Sequence, residues 1–255
     1  MKFHLLTLSI LSTIPQAHSI IGGTDVPIQE YPYQVSIFVR GTFAGGGSIL
    51  SPNTILTAAH CVSGASVDSF TVRSGSSART SGGTLLEVES ITIHPQYNQP
   101  VALENDIALI TLAENLTFTE EIQPIALPEM DGGTRKVSET PETEDQVVIS
   151  GWGAVNEGKT YSATLRAVTV DVLNSTDCAA AYEDYAFAIT EGMFCAGVEG
   201  GGMGTCQGDS GGPVVADGVV VGIVSWEIGC AREESPAVDT RVAHYRDWIA
   251  EVTGI

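Results

Sequence analysis

The chain has 255 residues, 43% of them hydrophobic, and a formal net charge of −20 from 31 acidic against 11 basic side chains. That length supports one large or two small domains with real cores, and the acidic balance disfavours nucleic-acid binding, which needs cations to neutralise phosphate. The longest apolar stretch, near the start, is too short to span a bilayer, so no membrane partner is expected.

Residues 1–19 read as a secretory signal. Lys2 and His4 make a weakly basic start, Leu5 to Ile14 an apolar stretch, and Ala17-His18-Ser19 a small-residue cleavage pattern. The expected location is therefore outside the cell. There the charge serves solubility; the sharper reading is an acidic field that attracts cationic substrates. From Ile20 onward, Gly, Asn, Ser and Pro clusters interrupt short apolar runs, which argues for an all-β barrel or sandwich. His94, ahead of Pro95, reads as an ordinary surface histidine. Asn115-Leu116-Thr117 and Asn174-Ser175-Thr176 are glycosylation sequons. Met130 to Gln146, rich in Gly, Pro, Thr and acid, is the natural seam. Its Glu139, Glu142, Glu144 and Asp145 read as a solvated loop. Val168, Val170 and Val172 alternate with polar residues, as in a half-buried strand, and Val219 to Val224 is an apolar core strand. Only the tail looks helical, with Val242, Tyr245, Trp248, Ile249 and Val252 near one face.

Three separated segments carry chemistry. Leu56-Thr57-Ala58-Ala59-His60-Cys61 supplies an imidazole. Glu104-Asn105-Asp106-Ile107-Ala108-Leu109 puts a carboxylate at the head of an apolar run. Cys206-Gln207-Gly208-Asp209-Ser210-Gly211-Gly212-Pro213-Val214 sets a serine among glycines, where the backbone can aim amide donors at one spot. A serine hydroxyl is a poor nucleophile unless a base takes its proton and donors hold the oxyanion that forms. His, Asp, Ser is one of the known chain orders of a catalytic triad.

With Ile20-Ile21-Gly22-Gly23, Gly151-Trp152-Gly153 and Ser225-Trp226, these segments make the chain resemble the trypsin/chymotrypsin serine peptidases over nearly its whole length. The resemblance implies two antiparallel β-barrels with the active site in the cleft between them and a C-terminal α-helix. The first barrel is expected at about 20–130, the second at about 146–240 and the helix at about 241–252. It implies a secreted, monomeric endopeptidase that works through an acyl-enzyme, needs no cofactor, and meets protein substrates and protein inhibitors in one cleft. Ser210 would be the nucleophile, His60 the base and Asp106 its orienting acid, with the amides of Gly208 and Ser210 as oxyanion hole. Ser225 would lie beside Asp106, and the Ser225-Trp226-Glu227 strand would pair with the substrate backbone. Gly204, Thr205, Gln207, Glu227, Ala237 and Asp239 would surround the substrate side chain. The alternative is a catalytically silent relative that binds a protein partner through the same cleft. Gly208 to Gly212 also fits G-x-S-x-G, but that fold needs its histidine after the serine and strands alternating with helices, which this chain lacks.

In the family, Asp209 pairs with an α-amine made by proteolysis, here that of Ile20. Relatives place Arg or Lys before this isoleucine; this chain has Ser19. Signal cleavage would then free the activating amine directly, unless an earlier cut leaves a stub for another protease to trim. Five cysteines cannot all pair internally. The resemblance joins Cys206 to Cys230 and Cys178 to Cys195. The family partner of Cys61 is replaced by Gly45, so Cys61 is expected as a free thiol, either inert or open to oxidation and intermolecular pairing. The pocket departs too. Gly204 stands where a trypsin has aspartate, Glu227 and Ala237 where glycine is usual, and Asp239 where tyrosine is common. One reading narrows the pocket for apolar side chains, with Glu227 at its mouth. The other lets Glu227 or Asp239 replace the missing acid and select a cation. No metal is expected, since no Asp or Glu occurs between Asp68 and Glu87, where relatives hold calcium.

Overall fold

The computed structural model describes residues 20–129, 145–158, 160–185 and 187–255. The proposed signal, most of the seam and its acidic loop up to Glu144 lie outside the described residues.

Two closed antiparallel barrels of six strands each make up the fold. After a short β1 (Thr24–Asp25), the first barrel uses β2 (Gln34–Val39), β3 (Thr42–Ser51), β4 (Thr54–Thr57), β5 (Phe70–Ser74), β6 (Thr84–Ile93) and β7 (Ala108–Leu112), closing in the order β2-β3-β4-β7-β6-β5. The second uses β8 (Gln146–Gly151), β9 (Arg166–Val172), β10 (Met193–Gly197), β11 (Pro213–Ala216), β12 (Val219–Trp226) and β13 (Ala237–Arg241), with β8 and β9 closing the ring. Among the described residues three short α-helices complete it: α1 (Ala59–Val62), α2 (Ser175–Ala181) and α3 (Arg246–Thr253).

Side-chain alternation along a strand explains the barrels. On β9, Val168, Val170 and Val172 are buried and Thr169 is exposed. The valines join Val147, Ile149, Phe194 and Val221 in the second core. The first core is built from β-branched and leucine side chains such as Ile37, Ile49, Ile55 and Ile110.

The chain ends do not follow the expected partition. Residues expected to open the first barrel belong to the second: Thr24 and Asp25 pair with Ala167 and Arg166 on β9, and Ile20 is fully buried in the second core. Conversely, the C-terminal segment packs Val242, Tyr245 and Ile249 into the first core. Each barrel is thus strapped to the other by a chain end, which fixes the cleft. The expected helix begins as a 3-10 turn over Val242–Tyr245, and Val252 is exposed rather than on the buried face. Asn115 is exposed. Asn174 caps α2, its side-chain oxygen accepting from the Thr176 backbone N–H at 2.8 Å. His94 is no free surface group: its half-buried ring packs edge-on against Tyr245 and Trp248, and burial, then the nearby His244, lowers its pKa.

Candidate active site

His60 sits in α1, held at the cleft by β4. Asp106 stands just before β7, and Ser210 on the turn before β11. Three elements far apart in the chain therefore converge where the barrels meet. Asp106 is fully buried and its carboxylate is fully engaged. Oδ2 lies 2.7 Å from His60 Nδ1 and accepts from Ser225 Oγ at 2.5 Å; Oδ1 accepts from the His60 backbone N–H at 2.9 Å. Hydrogen bonds to an ionised acceptor are strong ones, and together they fix the imidazole orientation. Burial works against the charged imidazolium, but the hydrogen bonds to Asp106 and Cys61 outweigh it and raise the His60 pKa.

The Asp106 loop is itself pinned. Asn105, at φ +55°, donates through Nδ2 to the carbonyls of Gln96 and Gln99 at 3.0 and 2.8 Å. Thr240 Oγ1 donates to the Asp106 carbonyl at 3.0 Å, tying β13 of the second barrel to the same loop. Neither residue stands out in the sequence, although Asn105 is of the type that tolerates positive φ.

Ser210 is half-buried, and its carbonyl accepts from Gly46 N–H of β3 at 2.8 Å, so the serine turn is docked on the first barrel. Gly208 has φ +95°, and a Cβ there would fall 2.7 Å from the Tyr161 ring and 3.1 Å from that of Phe43. Only glycine fits, which keeps its amide close to the serine. Among the described residues no hydrogen bond joins Ser210 Oγ to His60. Instead Nε2 lies 3.5 Å from the sulfur of Cys61. Such contacts are often loose without substrate and tighten with it. The sulfur's position comes as a surprise. The thiol is free and buried, as the sequence suggests, but it faces the one imidazole nitrogen that Asp106 leaves open.

Asp209 is fully buried beneath the site. Burial pushes its pKa up to about 7, against backbone N–H bonds from Gly153 at 2.7 Å and Cys206 at 3.1 Å. The disulfides Cys178–Cys195 and Cys206–Cys230 are formed. The second joins the serine turn to the loop after β12, and Gln207 Nε2 spans the same gap to the Gly229 carbonyl at 3.4 Å. Trp226 packs on Tyr182 and Phe187. Glu227 does not stay at the mouth facing solvent; it turns inward and accepts from Thr205 Oγ1 at 3.3 Å.

A family model described as Trypsin matches residues 20–249. The chain is 40% identical over 238 residues to "Trypsin 5G1" of Aedes aegypti, covering 92% of this chain and 85% of that protein. It is 39% identical over 232 residues to the "Vitellin-degrading protease" of Bombyx mori, covering 91% and 84%. Among solved structures it resembles neuropsin, a serine protease expressed in the limbic system of mouse brain, with a TM-score of 0.79 and 31% identity over 90% of this chain and 98% of that one.

Proposed function

The chain belongs to the trypsin family and is a serine-type endopeptidase, and from that premise we propose that it is secreted and cleaves proteins through Ser210, His60 and Asp106. The reading rests above all on the Asp106 carboxylate, which holds His60 Nδ1 at 2.7 Å and so leaves Nε2 as the free base. In this mechanism Ser210 Oγ attacks the scissile carbonyl carbon while its proton passes to His60 Nε2. The carbonyl electron pair moves to oxygen, where the amides of Gly208 and Ser210 hold it; losing one such donor costs about 10²–10³ in turnover. The C–N bond then breaks, and Nε2 returns the proton to the leaving amine. Water repeats the sequence on the acyl-enzyme. The Cys61 sulfur must yield Nε2 to the serine during the cycle.

Activation follows from burial. An unpaired buried carboxylate is costly, and Ile20 already lies inside the same barrel as Asp209. A free α-amine at Ile20 would supply the missing positive charge and order the oxyanion turn. Secretion is supported by the leader pattern of residues 1–19 and by the two disulfides, which persist in oxidising surroundings.

The test is labelling with a fluorophosphonate probe together with hydrolysis of a mixed peptide pool. Wild type should react and Ser210→Ala should do neither. Wild type that folds yet neither labels nor cuts would favour a silent relative that only binds protein. N-terminal sequencing of the earliest secreted species should read Ile20; any residue ahead of it would oppose direct activation by signal cleavage.

A further inference from the structure

The serine turn is gripped from two sides. Gly211 N–H donates to the Val224 carbonyl of β12 at 2.7 Å, and Gly46 N–H of β3 donates to the Ser210 carbonyl at 2.8 Å. Ser210 therefore stands between β12 and β3. With the acyl half of a substrate laid along Ser225, Trp226 and Glu227 at the end of β12, the leaving half departs toward β3. On that side lies an aromatic pair with a cation over it. The rings of Phe43, on β3, and Tyr161 meet edge to face, their centroids 5.7 Å apart, and both close on Gly208. The guanidinium carbon of Arg79 lies 5.1 Å from the Phe43 centroid and 5.5 Å from that of Tyr161.

Arg79 is held in place before a substrate arrives. Its backbone N–H donates to the Ala163 carbonyl at 3.0 Å, its own carbonyl accepts from Ser36 Oγ at 3.3 Å, and Nε donates to the Ser162 carbonyl at 2.8 Å. Ala78, its neighbour, forms a β-bridge with Thr164, so this segment of the first barrel is tied to the chain that leads into β9 of the second. A side chain ordered in this way loses little further freedom when it binds. Yet its two terminal nitrogens have no hydrogen-bond partner among the described residues, and no carboxylate there pairs with it. Arg166 and Arg232, by contrast, hold Asp25 and Glu157. On a chain of net charge −20, Arg79 is a half-buried, preorganised cation with no acid of its own.

We propose that Arg79, set on Phe43 and Tyr161, is a specificity-determining residue on the leaving side of the cleft, and that it takes an acidic side chain from the first two residues after the scissile bond. The inference rests on the endopeptidase reading and adds the chemistry of the leaving segment. A guanidinium whose Nε is already engaged still offers its terminal N–H groups to a carboxylate, and charge-assisted bonds of this kind are strong. The rings supply an apolar surface for the methylene groups that carry the acid. The same positive charge repels lysine at that position.

The experiment compares kcat/KM for peptides identical up to the cut, built on a site mapped in the mixed peptide pool, with Glu, Gln or Lys at the first or second position after it. Their C-termini are amidated, so that a terminal carboxylate cannot substitute for the side chain. Wild type, Arg79→Gln and Arg79→Lys are assayed after circular dichroism confirms folding. Wild type should prefer Glu to Lys by about tenfold at one of the two positions, the scale of a modest attraction added to an equal repulsion, and the preference should shrink as salt is raised. Arg79→Gln should bring the ratio close to one, and Arg79→Lys should retain part of it. Wild type that cuts the Glu and Lys peptides equally well at both positions, or an Arg79→Gln variant that keeps the wild-type ratio, would overturn this proposal alone. Wild type that neither cuts any peptide nor labels with fluorophosphonate would sink the peptidase reading and this proposal with it. If Arg79→Gln does not fold, the wild-type ratio and its salt dependence decide.

Discussion

Replacing Gly45 by cysteine tests how the free thiol is held. A Cβ built on Gly45 would lie 3.0 Å from Cys61 Sγ. An S–S bond of about 2.05 Å places the Cβ of one partner about 3.0 Å from the sulfur of the other, so the bridge closes with little movement there. The two positions are 16 apart in the chain, and closing such a loop restricts the unfolded chain by about 3 kcal/mol. The same Cβ would meet the Ser210 carbonyl oxygen at 2.5 Å, so the serine turn must shift. Taking about 1 kcal/mol for that crowding leaves a net gain of about 2 kcal/mol. For a domain of this size the melting temperature should rise by about 4–8 °C. Gly45→Ala suffers the same crowding without the bond and should melt below wild type. The assay is thermal unfolding with and without reductant, beside thiol counting under denaturation. Wild type should show one free thiol and Gly45→Cys none. Two free thiols in Gly45→Cys, or a melting temperature that falls with that of Gly45→Ala under oxidising conditions, would refute the geometry argued for Cys61.

Asp106→Asn should lower kcat by about 10⁴, since it favours the wrong imidazole tautomer, while circular dichroism stays unchanged. Methyl methanethiosulfonate, a small thiol reagent, should slow peptide hydrolysis as it caps Cys61 beside His60 Nε2, and dithiothreitol should restore the rate; Cys61→Ala, with no thiol to cap, should be insensitive. The acid limb of kcat/KM should lie above the ordinary histidine value near 6.5, because hydrogen bonds to Asp106 and Cys61 stabilise the imidazolium. Cys61→Ala removes one of them, so its acid limb should move to lower pH; an unmoved limb would show that the sulfur does not bond Nε2 in solution. With the Ile20 amine freed as proposed, the alkaline limb should follow that amine, whose ordinary pKa is about 8 and whose folded value the buried Asp209 carboxylate would raise. Stabilisation of the active form is then complete below about 8 and lost as pH rises through the raised value. Asp209→Asn should abolish this limb along with most activity, measured as kcat/KM against pH.

The site was legible where chemistry is written in local pattern. His60, Asp106 and Ser210 lie in short segments whose order and flanking residues carry the proposed triad, and five cysteines with Gly45 in one partner position imply a lone thiol. The strands were legible for a similar reason: alternation on β9 is a period-two signal and β12 a short continuous apolar run, both read within a few residues. Asn105 and Thr240 were not legible, because their value lies in what they touch, carbonyls 9 and 134 residues away.

The sequence by itself determined the barrel class, the three groups proposed to react, the odd thiol and the absence of an acid at position 204. Only the tertiary structure decided where side chains with several rotamers point. It turned the Cys61 sulfur onto Nε2, drew Glu227 inward to Thr205, and buried both oxygens of Asp239 without a hydrogen-bond partner among the described residues. It also exchanged the chain ends between the barrels. These outcomes depend on neighbours brought together by closing two rings of strands, and period-two patterning specifies the face a residue takes but not the partner waiting there.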